Sequence, residues 1–139
     1  FAIEGRCFSI RNILQNLKQQ LQVEREPKGD FARYYDRFAG HEMSSYFVWL
    51  NRGKESVQLD LRRDEDASLL KNLIGEADVF VQNLKPSSAE RLGFGSEKLR
   101  DEFPRLITVD VSGYGTRSES FKHRKAYDLL VQAESGLCT

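Results

Sequence analysis

The chain has 139 residues, enough for one domain with its own core, and its 40% hydrophobic and 30% charged residues are ordinary for a globular protein. Lys and Arg (21) balance Asp and Glu (21), which leaves no basic field for nucleic acid and no acidic tail. No apolar run approaches the roughly 20 residues of a membrane span, and Cys7 and Cys138, at opposite ends, read as free thiols of a reducing compartment.

From the amino end, Ile10, Ile13, Leu14, Leu17 and Leu21 recur at helical spacing and predict an amphipathic helix over 10–21. Residues 25–43, with Pro27, Gly29, Gly40 and many charges, read as a long surface loop. Val57, Leu59 and Leu61 alternate with Ser56, Gln58 and Asp60, a strand pattern. Asp64 is placed to cap a helix with a buried stripe of Leu69, Leu70, Leu73 and Ile74, ended by Gly75. Val79-Phe80-Val81 is wholly apolar, as in a strand buried on both faces. Ser87 and Glu90 have the spacing of a capping box for a helix over 87–92. Gly93-Phe94-Gly95 reads as a helix stop, since it follows a helix and lacks the third glycine of a dinucleotide fingerprint. Ser96 starts a helix that turns Leu99 and Phe103 inward before Pro104, and 106–111 is the next strand. A loop broken by Gly113-Tyr114-Gly115 runs to Lys125, and a helix over 127–133 closes at Gly136.

Strands alternating with helices through short connections predict an α/β fold with a doubly wound, mostly parallel sheet. Ligands of such sheets bind beyond the carboxyl ends of the strands, where the loop after Leu61, residues 83–88 and residues 112–125 fall. Residues 83–88 join a buried strand to a capped helix, with Lys85 before it and Arg91 one turn on. They read first as an ordinary strand–helix turn and second as a phosphate site. Asn51-Arg52-Gly53-Lys54 carries the same two readings. His41 and His123 lie in polar loops with no second ligand at metal-binding spacing, so no metal site is expected. There is no G-x-S-x-G elbow. The residues alone thus give an α/β domain with an anion-binding crevice.

Several segments, in order, carry a resemblance. They are Val23-Glu24-Arg25, Gly29-Asp30 and Arg33; Tyr46-Phe47; and Asn51-x-x-Lys54-x-Ser56-x-x-Leu59-Asp60. Ala77-Asp78-Val79, Asn83, Arg91-Leu92-Gly93 and Pro104-x-Leu106-Ile107 follow. Ser112-Gly113-Tyr114-Gly115, Tyr127-Asp128 and Gln132-x-x-Ser135-Gly136 complete the series. From Val23 to Thr139 the chain resembles the class III CoA-transferases, the family of formyl-CoA transferase, carnitine CoA-transferase and α-methylacyl-CoA racemase. The family opens with a strand, a Gly-Pro turn and a helix. Residues 1–22 hold no such turn, so they are set apart as a divergent helical segment, and 23–139 as a Rossmann-like, incomplete CoA-binding domain.

The resemblance implies a transferase that moves CoA from an acyl-CoA to a carboxylic acid through an aspartyl-CoA intermediate. It places the nucleophilic aspartate in a Gly-Asp segment downstream of the helix that begins at Tyr127, so this chain alone is expected to be inactive. Implied CoA contacts are Arg25 at the adenine–phosphate end, Leu59, Asp60, Leu61 and Arg62 along the nucleotide, and Asn83, Leu84 and Lys85 at the pyrophosphate or pantetheine. Arg91 matches a phosphate-binding arginine. Lys125, Ala126, Tyr127 and Asp128 match the segment passing the thioester, with Tyr127 and Tyr46 facing the acyl group. CoA is a substrate, and no metal or redox cofactor is implied. The full-length enzyme is expected to be a homodimer of the cytoplasm or mitochondrial matrix, with no nucleic-acid or membrane partner. The alternatives are a racemase of the same family and a non-catalytic CoA-binding remnant. The racemase branch uses a histidine where this chain has Tyr127, and a phenol with a pKa near ~10 is a poor base at neutral pH.

Overall fold

The computed structural model describes residues 2–3, 19–41, 43–84, 86–115, 118, 120–121, 124 and 126–137. Five strands form one sheet: β1 (Ala2–Ile3), β2 (Leu21–Arg25), β3 (Glu55–Leu59), β4 (Val79–Gln82) and β5 (Ile107–Asp110). Their order is β3-β2-β1-β4-β5 and every pairing is parallel. The chain winds outward from β1 through β2 to β3, then crosses to β4 and winds outward the other way to β5. The strand order reverses between β1 and β4, the topological switch point at which sheets of this kind bind ligands.

Two expectations about the amino-terminal part change. Ala2–Ile3 form the central strand, paired with Gln22 and Val23 on one side and Val81 and Gln82 on the other. Leu21 opens β2 and does not close a helix; the rest of the helix expected over 10–21 lies almost wholly outside the described residues. A boundary after residue 22 therefore falls inside a strand. The sequence hid β2 because two of its buried residues, Gln22 and Glu24, are polar. A two-residue strand such as β1 has no period to read.

One face of the sheet carries the main core. Val23, Leu59 and Phe80 pack there with Leu70, Ile74, Phe94, Leu99 and Leu106, all nearly inaccessible to water. Full burial of side chains of this size stabilises by about 1.5–3 kcal/mol each. Leu70 and Ile74 come from α2 (Asp64–Gly75), and Leu99 comes from α4 (Ser96–Glu102). Between them, α3 (Pro86–Arg91) ends in Gly93, whose φ of +84° suits glycine. The Gly93 N–H donates to the Glu90 carbonyl at 3.0 Å and the Phe94 N–H to the Ala89 carbonyl at 2.9 Å. This is a Schellman stop, and it drops Phe94 into the core as the helix-stop reading required. On the opposite face Val81 packs with Val79, Val109 and Val111.

Local starts differ from the sequence reading. Asp64 is the first helical residue of α2 and Arg63 the cap. Leu69 is 45% exposed and lies outside the stripe. α3 opens at Pro86, where a missing N–H costs nothing, so Ser87 lies inside the helix and is not its cap. Residues 25–43 are less irregular than expected: a 3₁₀ helix (Phe31–Tyr34) leads to α1 (Ser45–Leu50), capped by the Ser44 hydroxyl. The chain closes with α5 (Asp128–Glu134).

Candidate functional site

The carboxyl ends of β2 and β3 lie side by side, with Arg25 in register with Leu59. The Glu26 N–H donates to the Leu59 carbonyl at 3.2 Å, which locks the two strand exits together. Arg25 is exposed here, and among the described residues no carboxylate pairs with its guanidinium. Leu59 is buried in the core and offers this edge only its backbone. Leu61 is half-buried against the same core.

Asp60 and Arg62 engage each other. Arg62 Nε donates to Asp60 Oδ1 at 2.8 Å and Nη2 to Oδ2 at 2.7 Å. The Arg62 side chain and backbone N–H, with the positive charges of Arg62 and Arg63, pull the Asp60 carboxyl down to about 2. The pair uses Nε and one hydrogen of Nη2, and the rest of the exposed guanidinium faces solvent. Beside them Arg63 bridges Glu26 and Asp66, and Asp66 accepts the Asp60 N–H at 2.8 Å. This second network fixes the turn from β3 into α2.

At the switch point, Asn83 and Leu84 leave the end of β4 half-buried, with Leu84 packed on the core. Arg91 ends α3 and is exposed. The wall toward β5 is polar and ordered. Asp110 Oδ1 accepts from Gln82 Nε2 at 2.8 Å and from the Ser96 hydroxyl at 2.7 Å, tying β4, β5 and α4 together. Past β5, Ala126 and Tyr127 are exposed, Tyr127 caps α5, and Asp128 is its first residue. Tyr46 lies in the first turn of α1, with its ring centroid 5.3 Å from that of Tyr35. Lys85 and Lys125 lie outside the described residues, as does His123. The structure therefore gathers Arg25 and residues 59–62 at the ends of β2 and β3 and sets 83–84 at the end of β4, across β1 from them. It carries 126–128 on a separate element beyond β5.

Sequence reasoning gave no physical role to Glu24, Gly29, Asp30 or Arg33. The Glu24 side chain is fully buried. It accepts from Arg33 Nε and Nη2 at 2.7 and 2.6 Å, from the Ser56 hydroxyl at 2.6 Å and from the Asp30 N–H at 2.8 Å. The Arg33 guanidinium also lies 3.9 Å over the Phe47 ring. The signal that was available was an acidic residue one step from Val23 in a segment extended enough to be a strand.

A cavity of about 580 Å³ lies elsewhere, lined by Gln20, Ser45, Val48, Trp49, Arg52 and Lys54 among others. Gln20 and Lys54 immediately precede β2 and β3, so it opens at the amino edge of the sheet, away from the crevice. The second anion-site candidate, 51–54, belongs to this edge, where Lys54 Nζ donates to Asn51 Oδ1 at 2.9 Å. Among the described residues no cluster of three His, Cys, Asp or Glu side chains could hold a metal, and no helix is long and apolar enough to cross a membrane.

Comparison with known proteins identifies the family of the chain. The family described as CoA-transferase family III matches residues 21–139. Acetyl-CoA:oxalate CoA-transferase of Acetobacter aceti is 38% identical over 117 residues, 84% of this chain and 30% of that protein. Succinyl-CoA:glutarate CoA-transferase of Mus musculus is 30% identical over 130 residues, 94% of this chain and 30% of that protein. The crystal structure of a CAIB/BAIF family protein from Brucella suis superposes with a TM-score of 0.77 at 30% identity, covering 85% of this chain and 32% of that one. The chain thus spans about a third of the length of the relatives it matches, and it belongs to CoA-transferase family III.

Proposed function

We propose that this chain is the CoA-binding part of a transferase that moves CoA from an acyl-CoA to a small carboxylic acid. The observation that carries the reading is the family match over 21–139 on a parallel sheet whose carboxyl edge holds Arg25 beside residues 59–62. The domain reads as Rossmann-like, with CoA lying across the switch point between β1 and β4. Arg25 meets the phosphate at the adenine end, Arg62 meets a phosphate with the guanidinium hydrogens that Asp60 leaves free, and Arg91 supplies a further bidentate cation. Asn83 and Leu84, with Lys85, line the pyrophosphate or pantetheine. Residues 125–128 pass the thioester, with Tyr127 and Tyr46 toward the acyl group.

In the proposed reaction an aspartate carboxylate attacks the acyl-CoA thioester, expels the CoA thiolate and forms a mixed anhydride. The thiolate attacks the aspartyl carbonyl, releases the donor acid and leaves an aspartyl-CoA thioester. The acceptor carboxylate then attacks that thioester and expels the CoA thiolate, giving a second mixed anhydride, and the thiolate attacks the acceptor's acyl carbon and releases the aspartate. The nucleophile belongs to a Gly-Asp segment downstream of α5 that these 139 residues do not contain. The chemistry needs no metal or redox cofactor, and the whole enzyme is read as a homodimer of the cytoplasm or mitochondrial matrix. Relatives named for oxalate and glutarate point to a small dicarboxylic acceptor.

Isothermal titration of the chain with CoA tests the reading. The expected result is salt-sensitive binding weakened about tenfold by Arg91→Ala, the value of one charge-assisted hydrogen bond. Affinity unchanged by that substitution would remove Arg91 from the phosphate site, and no binding at all would remove the CoA reading.

A further inference from the structure

We infer that Glu24, Arg33 and Gly29 form a positioning unit for Arg25, fixing where that guanidinium leaves the sheet to meet the phosphate at the adenine end of CoA. The inference rests on the CoA reading above. Glu24 and Arg25 are consecutive in β2, so their side chains leave opposite faces. Glu24 leaves the face opposite Val23 and Leu59 and is fully buried there, while Arg25, in register with Leu59, is exposed at the strand end. The chain then turns back on itself, and the Gly29 N–H donates to the Arg25 carbonyl at 2.7 Å. The next N–H, from Asp30, donates to Glu24 Oε2 at 2.8 Å. The returning end of the turn therefore hangs from residues 24 and 25 themselves.

Arg33 holds that anchor still. Its Nε and Nη2 grip the two carboxylate oxygens at 2.7 and 2.6 Å, a fork that fixes the plane of the Glu24 carboxylate. Gly29 makes room for it. A Cβ there would lie 2.4 Å from Glu24 Oε2, and the backbone φ of +72° belongs to the left-handed region. On the outer side the Glu26 N–H binds the Leu59 carbonyl and keeps Arg25 beside the turn at residues 60–62. Displacing the carboxylate displaces the turn, and with it Arg25. The three residues act through Arg25 and are positioning residues.

Such a unit controls which phosphate is recognised, so the test reads selectivity. The intact chain is titrated with CoA and with dephospho-CoA, which lacks the 3′-phosphate. The wild-type chain is expected to prefer CoA about tenfold, as one charge-assisted contact gives. Arg25→Ala abolishes the preference. Arg33→Ala also abolishes it, by weakening CoA and leaving dephospho-CoA nearly unchanged, and Arg33→Lys, which keeps the charge but loses the fork, restores part of it. Ser56→Ala removes a hydrogen bond to the same carboxylate from β3, away from the turn, and keeps the wild-type preference while lowering the melting temperature. Should Arg33→Ala fail to fold, Arg33→Lys against Ser56→Ala decides. A wild-type preference in the Arg33 variants, or equal weakening of both ligands, overturns the inference. A wild-type chain that binds both ligands equally overturns it and leaves the CoA reading standing, whereas one that binds neither overturns both.

Discussion

The Glu24 carboxylate is enclosed by protein and by donors from Arg33, Ser56 and Asp30. Burial alone pushes its pKa upward. The hydrogen bonds from those three residues, with the Arg33 charge, outweigh burial and hold it below the ordinary 4.5. A depressed folded pKa means that the unfolded chain binds the proton more readily than the native one. The stabilisation is therefore complete above the unfolded value and is lost as pH falls through the folded value. Thermal melts followed by circular dichroism from about pH 7 to about pH 3 should show a midpoint that falls steeply below pH ~4.5. Glu24→Gln should lower the midpoint at neutral pH, since Arg33 loses its charged partner, and flatten the acid limb. An acid limb as steep as the wild type's would assign the effect to other carboxylates; Asp36 and Asp60, each held at about 2, are the first to examine.

Helix α2 offers an internal comparison at the scale of the element. Leu69 and Leu70 are neighbours with the same side chain, yet Leu70 is completely buried against Phe80 and Leu99 while Leu69 is 45% exposed. Leu70→Ala should cost about 2–5 kcal/mol in urea unfolding and Leu69→Ala less than about 1 kcal/mol. Equal losses would mean that the helix packs in another rotation. Both leucines suit the helical period, so periodicity alone could not separate them. The same limit explains what else was legible. The apolar runs of β4 and β5 announced themselves, and Gly93 announced the end of α3. Ser87 and Glu90 had the spacing of a capping box, but Pro86 is preset for the first helical position and moved the start back. Residues 25–43 read as a loop because much of their order comes from carboxylates, Glu24 and Asp36, that reach partners six to nine residues away, which no local period encodes. The site shows the same division. The resemblance named Arg25 and residues 59–62, whereas their adjacency through β2, the pairing of Arg62 with Asp60 and the burial of Leu59 appear only in three dimensions.

Across the whole molecule, apolar residues cluster on one exposed surface. Leu129 and Leu130 on α5 are 71% and 52% exposed, and Leu137, just past it, is 77% exposed. The Leu137 N–H donates to the Gln132 carbonyl at 3.0 Å and the Gly136 N–H to the Ala133 carbonyl at 3.2 Å, a second Schellman stop that folds Leu137 back toward its helix. Tyr127, half-exposed, caps the other end. Scattered exposed leucines need no explanation, but several on one short helix and its exit form a patch that water disfavours. Burying each leucine in a contact between chains would gain about 1.5–3 kcal/mol before the cost of association. The purified chain is therefore expected to elute in size-exclusion chromatography above its 16.0 kDa monomer mass, increasingly so at higher concentration. Leu129→Glu combined with Leu137→Glu should return it to monomer. Both positions are too exposed to support the core, so the melting temperature at low concentration should hardly move. A wild-type chain that stays monomeric at high concentration would show that the patch is too small to drive association. A double variant that still associates would shift attention to Phe38 and Trp49, 89% and 51% exposed on and beside α1.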